Sequence, residues 1–281
     1  MNLTRRRLCA ALALTGLPAA ARAEPATLTL GLFPNLPAHK LIELYRPLAD
    51  YLEQQLNCKV NLFSAKDFRA FYRATRKNQF DILVTAPHLA WLAMVESDYR
   101  PLATFTSPVT GVVIARRDAD VRTAVDCRGR TVAMVDPLSI VSQLGLNYFK
   151  TLGLTPNVDY RLAIYNNHAN AALAVMIEKA DCAVVGNLPF QQMAGEVQSQ
   201  LRVVAETAAV PSQFVMTNAR LPPALCERVR SALLAFSRTP SGSVFIKTFH
   251  VGTIVAAEPS ALEPIELYAL ITKAMLNRTN E

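Results

Sequence analysis

The chain has 281 residues, 51% hydrophobic and 18% charged, with 10 glycines and no low-complexity run. That excludes a disordered or fibrous protein and leaves room for one large packed unit or two medium ones. The formal charge of +7 is concentrated at the start, where Arg5, Arg6, Arg7 and Arg22 meet no acid; without those four, 25 basic residues face 22 acidic ones, a charge of +3. With no basic stripe interleaved with aromatics, nucleic acid is excluded as a partner.

In chain order, the three arginines precede an apolar run over 8–17, then Pro18, then Ala21-Arg22-Ala23 before Glu24. This predicts a cleaved export signal over 1–23 and a periplasmic location, the apolar run being too short for a permanent membrane span. Thr4-Arg5-Arg6-Arg7-Leu8 also fits a twin-arginine signal, and Cys9 is out of place for a lipoprotein acceptor. Cys58, Cys127, Cys182 and Cys226 follow, without close framework or metal spacing. Three pairings are open and none is assigned; Cys182, in an apolar run, reads as a buried free thiol.

Residues 27–33 alternate as a strand that Pro34, Asn35 and Pro37 end. Apolar residues at helical spacing predict a helix over 41–56, and 59–63 a second strand. Asp67 is a fitting N-cap for a helix to Lys77; 80–85 is a third strand, with Pro87 in the first turn of the next helix. This β-α-β-α-β rhythm implies a mostly parallel sheet covered by helices. It breaks at consecutive strands over 100–105 and 109–116. A second series then follows: strands over 131–135, 160–165, 182–185, 201–206 and 214–217, helices from Ser139 to about 152 and over 168–179, and a helical tail over 222–236 and 262–276. No internal repeat of fixed period is evident. Extended links near 106–112 and 210–217 predict two lobes with a double-crossover hinge: 24–108 in lobe 1, 109–212 in lobe 2, and 213–281 returning to lobe 1. Ligands of open α/β sheets sit beyond the carboxyl ends of the strands, here a shared cleft closed by hinge motion.

Four clusters fall at such strand ends. In Thr85-Ala86-Pro87-His88, His88 either contacts a ligand or is a partly buried histidine bonded to a backbone carbonyl. In Asp136-Pro137-Leu138-Ser139-Ile140-Val141-Ser142, the hydroxyls of Ser139 and Ser142 and the helix-start N–H groups suit an oxyanion, with N-capping the compatible alternative for Ser139. In Asn166-Asn167-His168, Asn167 caps a helix or meets the ligand, and His168 lies in its first turn. Asn187 follows the strand over 182–185. There is no Gly-x-Ser-x-Gly elbow, no phosphate loop with lysine and no His-Glu-x-x-His. His39, His88, His168 and His250 are scattered, and the strand-end clusters hold no paired carboxylates for acid–base work. The chain therefore reads as a binder, not an enzyme, with no cofactor and no metal.

The order and spacing of several stretches resemble the phosphonate/phosphite/phosphate-type periplasmic binding proteins of ABC transporters over about 26–250. They are Gly31-Leu32-Phe33-Pro34, Pro47-Leu48-Ala49-Asp50-Tyr51-Leu52, Phe80-Asp81-Ile82-Leu83, Asp126-Cys127-Arg128-Gly129-Arg130-Thr131-Val132-Ala133, and Asn167-His168 with Ala171, Ala174 and Val175. The resemblance implies a two-lobed type II (venus-flytrap) fold and a ligand in the cleft, and of the family's Ser-His-Asp only His168 carries over; with the strand-end clusters, the expected ligand set is Phe33, Asn35, Phe68, His88, Ser139, Ser142, Asn167, His168 and Asn187. It also brings departures. Ser139-Ile140-Val141-Ser142 stands where the family has Ser-Thr-Ser-Gly, and Asn167-His168-Ala169 where it has Ser-His-Asp. Gly186 or Asn187 replaces an acid, and Phe68 matches an aromatic without supplying a phenol. Each missing charge-assisted bond costs roughly 1.5–3 kcal/mol, so the expected ligand is a less charged oxyanion or a small organic molecule, bound by a monomer. The expected partner is an ABC permease, with a membrane sensor kinase as the alternative and a histidine-based periplasmic enzyme as a third.

Overall fold

The structure is a computed structural model that describes residues 27–278; the predicted export signal, the twin-arginine reading and Cys9 lie outside them. In chain order the elements are β1 (Thr27–Leu32), α1 (Ala38–Leu56), β2 (Lys59–Ser64), α2 (Phe68–Arg76), β3 (Ile82–Thr85), α3 (Pro87–Ser97), β4 (Tyr99–Phe105) and β5 (Gly111–Arg116). Then come β6 (Thr131–Met134), α4 (Ile140–Thr151), β7 (Arg161–Ile164), α5 (His168–Met176), β8 (Cys182–Gly186), α6 (Asn187–Gln191), α7 (Gly195–Gln200) and β9 (Leu201–Glu206). The chain closes with β10 (Phe214–Asn218), α8 (Pro223–Phe236), α9 (Pro240–Phe249), β11 (Ile254–Ala256) and α10 (Glu266–Asn277).

Two mixed sheets result, ordered β11-β4-β10-β3-β1-β2 and β7-β6-β8-β5-β9. In the first, β1 runs parallel to β2 and β3, and β10 returns antiparallel between β3 and β4. In the second, β6 runs parallel to β7 and β8, and β5 lies antiparallel between β8 and β9. The links β4–β5 and β9–β10 cross side by side, where Val109 and Val210 exchange both backbone hydrogen bonds at 3.0 and 2.9 Å. This is the two-lobed α/β architecture with a double crossover that the sequence predicts.

Local chemistry explains the elements. Leu28, Leu30 and Leu32 of β1 are buried, and α1 covers them with Leu41, Tyr45, Leu48 and Leu52. Pro47 sits inside α1 on its exposed side, where a missing N–H costs least. Gly31 admits the Phe80 ring, which a Cβ there would meet at 2.6 Å.

The lobes also repeat each other. Asp67 caps α2 by accepting from Ala70 N, and Asn167 caps α5 by accepting from Asn170 N, with the same φ −157 and ψ 169. Asp81 accepts from Thr29 N, and Asp181 from Thr131 N. Asn57 and Asn157, then Asn78 and Glu178, take left-handed backbone. These equivalents lie one hundred positions apart, or nearly so, and are too few and too dissimilar for the sequence to show them as a repeat.

Two expectations are corrected. The helix expected over 168–179 ends at Met176, because Glu178 turns left-handed. The tail holds two elements that the sequence did not suggest. Helix α9 starts at Pro240 with Thr239 accepting from Gly242 N, and β11 adds an edge strand beside β4.

Candidate functional site

A cleft enclosing about 870 Å³, part of it open to solvent, lies between the two sheets. Its walls collect the strand ends: Phe33, Asn35 and Leu36 after β1, Ala86 and Pro87 after β3, Val135, Asp136 and Ser139 to Val141 after β6, Asn167 and His168 after β7, and Gly186 to Pro189 after β8. Phe68 opens α2 and faces Phe33 across 6.4 Å. The N-terminal turns of α2, α3, α4 and α5 thus meet around one space, and each brings first-turn N–H groups without intrahelical partners.

Seven of the nine predicted site residues line this cleft: Phe33, Asn35, Phe68, Ser139, Asn167, His168 and Asn187. His88 and Ser142 do not. The His88 ring is fully buried, and Nε2 donates to the carbonyl of Leu138 at 2.9 Å, so His88 takes the backbone-bonded role and ties α3 to the approach of α4. Its Nδ1 is buried without a protein partner. Burial pushes its pKa down to about 4, against a smaller upward pull from the Leu138 bond, and the ring is neutral. Ser142 donates to the carbonyl of Val135 at 2.9 Å, which holds the turn between β6 and α4.

The residues in the wall have distinct duties. Ser139 stands at the N-cap of α4 yet makes no capping bond, so its hydroxyl and the first-turn N–H groups of α4 are left to the cleft. His168 Nδ1 accepts from Gly186 N at 3.4 Å, which places the ring proton on Nε2. Burial lowers its pKa to about 4, so it acts as a neutral donor. Asn167 caps α5 through Oδ1. Asn187 is held at both ends of its amide by the crossover, accepting from Thr110 N and donating to the carbonyl of Pro108. Asn35 Oδ1 is buried with no protein partner, an acceptor that a bound molecule would satisfy.

Gln192, Gln213, Phe249 and Val251 complete the wall. Gln192 ends α6, one turn beyond Pro189, while Gln213, Phe249 and Val251 come from segments with no strand-end signal and enter only through the return of the chain by β10 and α9. Gln192 donates from its amide to the carbonyl of Phe249 at 3.0 Å, and Gln213 accepts from the Tyr45 hydroxyl. Among the described residues, Asp136, whose Oδ1 accepts from Leu138 N, is the one charged side chain in the wall, and no lysine or arginine lines it. Among the described residues, no group of three or more His, Cys, Asp or Glu side chains is placed to hold a metal ion, and no helix is long and apolar enough to cross a membrane.

Comparison with known proteins fits this geometry. The phosphonates-binding periplasmic protein of Escherichia coli is 21% identical over 94% of this chain and 82% of its own length. The tetrathionate sensor histidine kinase of Salmonella typhimurium is 27% identical over 50% of this chain, but the match spans only 26% of that kinase. Among solved structures, a binding-protein component of an ABC phosphonate transporter from Pseudomonas aeruginosa superposes with a TM-score of 0.78 at 18% identity, over 92% of this chain and 90% of the other. PhnD1 of Prochlorococcus marinus, in complex with methylphosphonate, gives 0.80 at 12% identity, over 89% and 99%. These structures share the type II periplasmic binding protein fold. Residues 30–262 match the family model of the phosphonate periplasmic substrate-binding protein of ABC transporters, and the chain belongs to that family.

Proposed function

We propose that the chain is a periplasmic receptor that traps a small, singly charged oxyanion or its apolar ester-like or alkyl derivative between its lobes, performs no chemistry on it, and hands it to an ABC permease. The observation that carries this reading is the composition of the cleft wall: four helix N-termini and neutral donors, with Asp136 the one charge among the described residues. Helix N-termini and backbone N–H groups stabilise negative charge without a cation. A second full charge beside the Asp136 carboxylate would be repelled in a site of low polarity. A ligand that keeps one proton of its own can also donate to the orphaned Asn35 Oδ1. Phe33, Phe68, Ile140, Val141 and Leu188 offer a surface for an apolar substituent. The transport reading is favoured over the sensing one because the similarity to the phosphonates-binding protein extends along nearly the whole chain, while the similarity to the kinase covers half of it.

A thermal-shift panel on residues 24–281 tests the reading, with methylphosphonate, aminoalkyl phosphonates, phosphite, phosphate, sulfite, tetrathionate, arsenite and small carboxylates. A ligand at 100 times its Kd stabilises the fold by about 2.7 kcal/mol. The expected result is a shift with singly charged members that weakens as pH rises through the ligand's own second ionisation. Nanomolar binding of a doubly charged phosphonate would overturn the charge assignment, and turnover of any panel member would overturn the binding role.

A further inference from the structure

Away from the cleft, the second lobe buries two sulfurs against each other. Cys127 closes the 3-10 turn Ala124–Cys127 that precedes β6, and Cys182 opens β8, 55 positions later. Both are fully buried, and their Sγ atoms are 2.7 Å apart, inside the contact distance of two non-bonded sulfurs. The surroundings are closed. Val132 of β6 pairs with Cys182 on one side, Ala115 of β5 pairs with it on the other, and the buried Tyr160 ring lies tilted against Phe149, centroids 5.1 Å apart, close by. The Tyr160 hydroxyl has no hydrogen-bond partner; burial and the two nearby sulfurs push it up to about 12.

We propose that Cys127 and Cys182 become a disulfide when the chain folds in an oxidising compartment, fastening the 3-10 turn to the central strand of the second sheet. The pairing follows from the fold, since the turn delivers the Cys127 sulfur to within 2.7 Å of the sulfur on the first residue of β8. In the step, two S–H bonds break and one S–S bond forms. Two protons and two electrons pass to the disulfide of a thiol oxidant of the glutathione or dithiol-oxidase class, which leaves as two thiols. The bond must form during folding. Once the lobe closes, neither sulfur is exposed, and the neighbouring Cys127 thiol together with burial holds the Cys182 thiol well above its usual range, so it is a poor nucleophile. For the same reason the finished disulfide resists reduction in the folded protein. This inference rests on export to an oxidising compartment as well as on the pairing, and the test separates the two.

The full chain is unfolded, refolded with a reduced/oxidised glutathione couple, alkylated under denaturing conditions without reductant, and digested. The expected product is a Cys127–Cys182 linked peptide, 2 Da lighter than the sum of its reduced parts. Quantitative alkylation of both residues would overturn the pairing. The same map on protein taken from the periplasm of the producing cell is expected to show the same link; thiols there, after linkage in the refolding, would overturn the export premise alone. As an independent readout, added reductant during refolding is expected to lower Tm by roughly 5–15 °C. The Cys127→Ala/Cys182→Ala variant is expected to show no dependence on reductant. Equal sensitivity in the variant would overturn the assignment, and the peptide map decides the case if that variant fails to fold.

Discussion

Ser139 and Ser142 stand three residues apart and do different work. Ser139 lines the cleft and caps nothing, whereas Ser142 is buried and bonded to Val135. Ser139→Ala is therefore expected to weaken binding of the best anion in the panel about 10-fold while moving stability by no more than about 0.5 kcal/mol. Ser142→Ala is expected to cost about 1 kcal/mol in urea denaturation and to leave affinity within about 3-fold. Reversed outcomes would place the oxyanion at Ser142. The two buried histidines make a separate prediction. Each has a folded pKa near about 4, against about 6.5 in an unfolded chain. The unfolded state takes up protons first, so stability is complete above about pH 6.5 and declines as pH falls towards 4, by on the order of 3 kcal/mol for each ring. Urea midpoints at pH 7.5, 6 and 5 check this, and a flat profile would contradict the neutral, buried assignment.

At the scale of elements, α10 shows how the last stretch of chain serves the cleft without touching it. It packs on α3, and Lys273 and Arg76 meet at the Glu96 carboxylate at 2.8 and 3.1 Å, with the Tyr72 hydroxyl donating at 2.6 Å. Burial raises the Glu96 pKa, but the bonds from Lys273 and Tyr72 outweigh it and hold it low. From this anchorage Thr272 accepts from the Gln143 amide at 2.7 Å, reaching α4 in the other lobe. Glu96→Gln is expected to lower stability by roughly 1–3 kcal/mol and to speed hydrogen exchange over 266–277 ahead of the rest of the chain. Unchanged exchange there would mean that apolar packing alone fixes the helix.

What the sequence reveals of these elements follows from physics that acts locally. Asp67, Pro87 and Asn167 mark helix starts because their side chains or rings act within one turn, and 27–33 alternates because one face of its sheet is buried. The α9 start was hidden by Ser241-Gly242-Ser243, a stretch of turn-forming residues that Thr239 nonetheless caps. Gln213 and Gln192 carry no local signal at all. Gln213 reaches the wall through the crossover, and Gln192, at the end of α6, meets α9 only because α9 returns to the first lobe, contacts that no spacing in the sequence encodes. His88 shows the same limit in reverse: a strand-end histidine looks like a ligand contact until the opposite lobe supplies the Leu138 carbonyl.

For the whole molecule, the described state is one in which the lobes are joined. His88 to Leu138, Gln192 to Phe249 and Gln143 to Thr272 each bridge elements of different sheets. Few directional bonds hold the two bodies together, so a ligand that adds bonds to both walls shifts the population towards closure by its differential affinity for that state. The repeat between the lobes has a consequence here, since α2 and α5, capped alike by Asp67 and Asn167, present matching N-termini from opposite sides. A ligand gripped from both lobes at once needs both walls of the cleft. This requirement is tested most directly by calorimetric titration of the panel's most stabilising anion into wild type, Asn35→Ala and His168→Ala, one substitution in each wall. Each variant, folded by circular dichroism, is expected to lose affinity roughly 10-fold or more. Affinity unchanged in both, or lost from one wall alone, would contradict it.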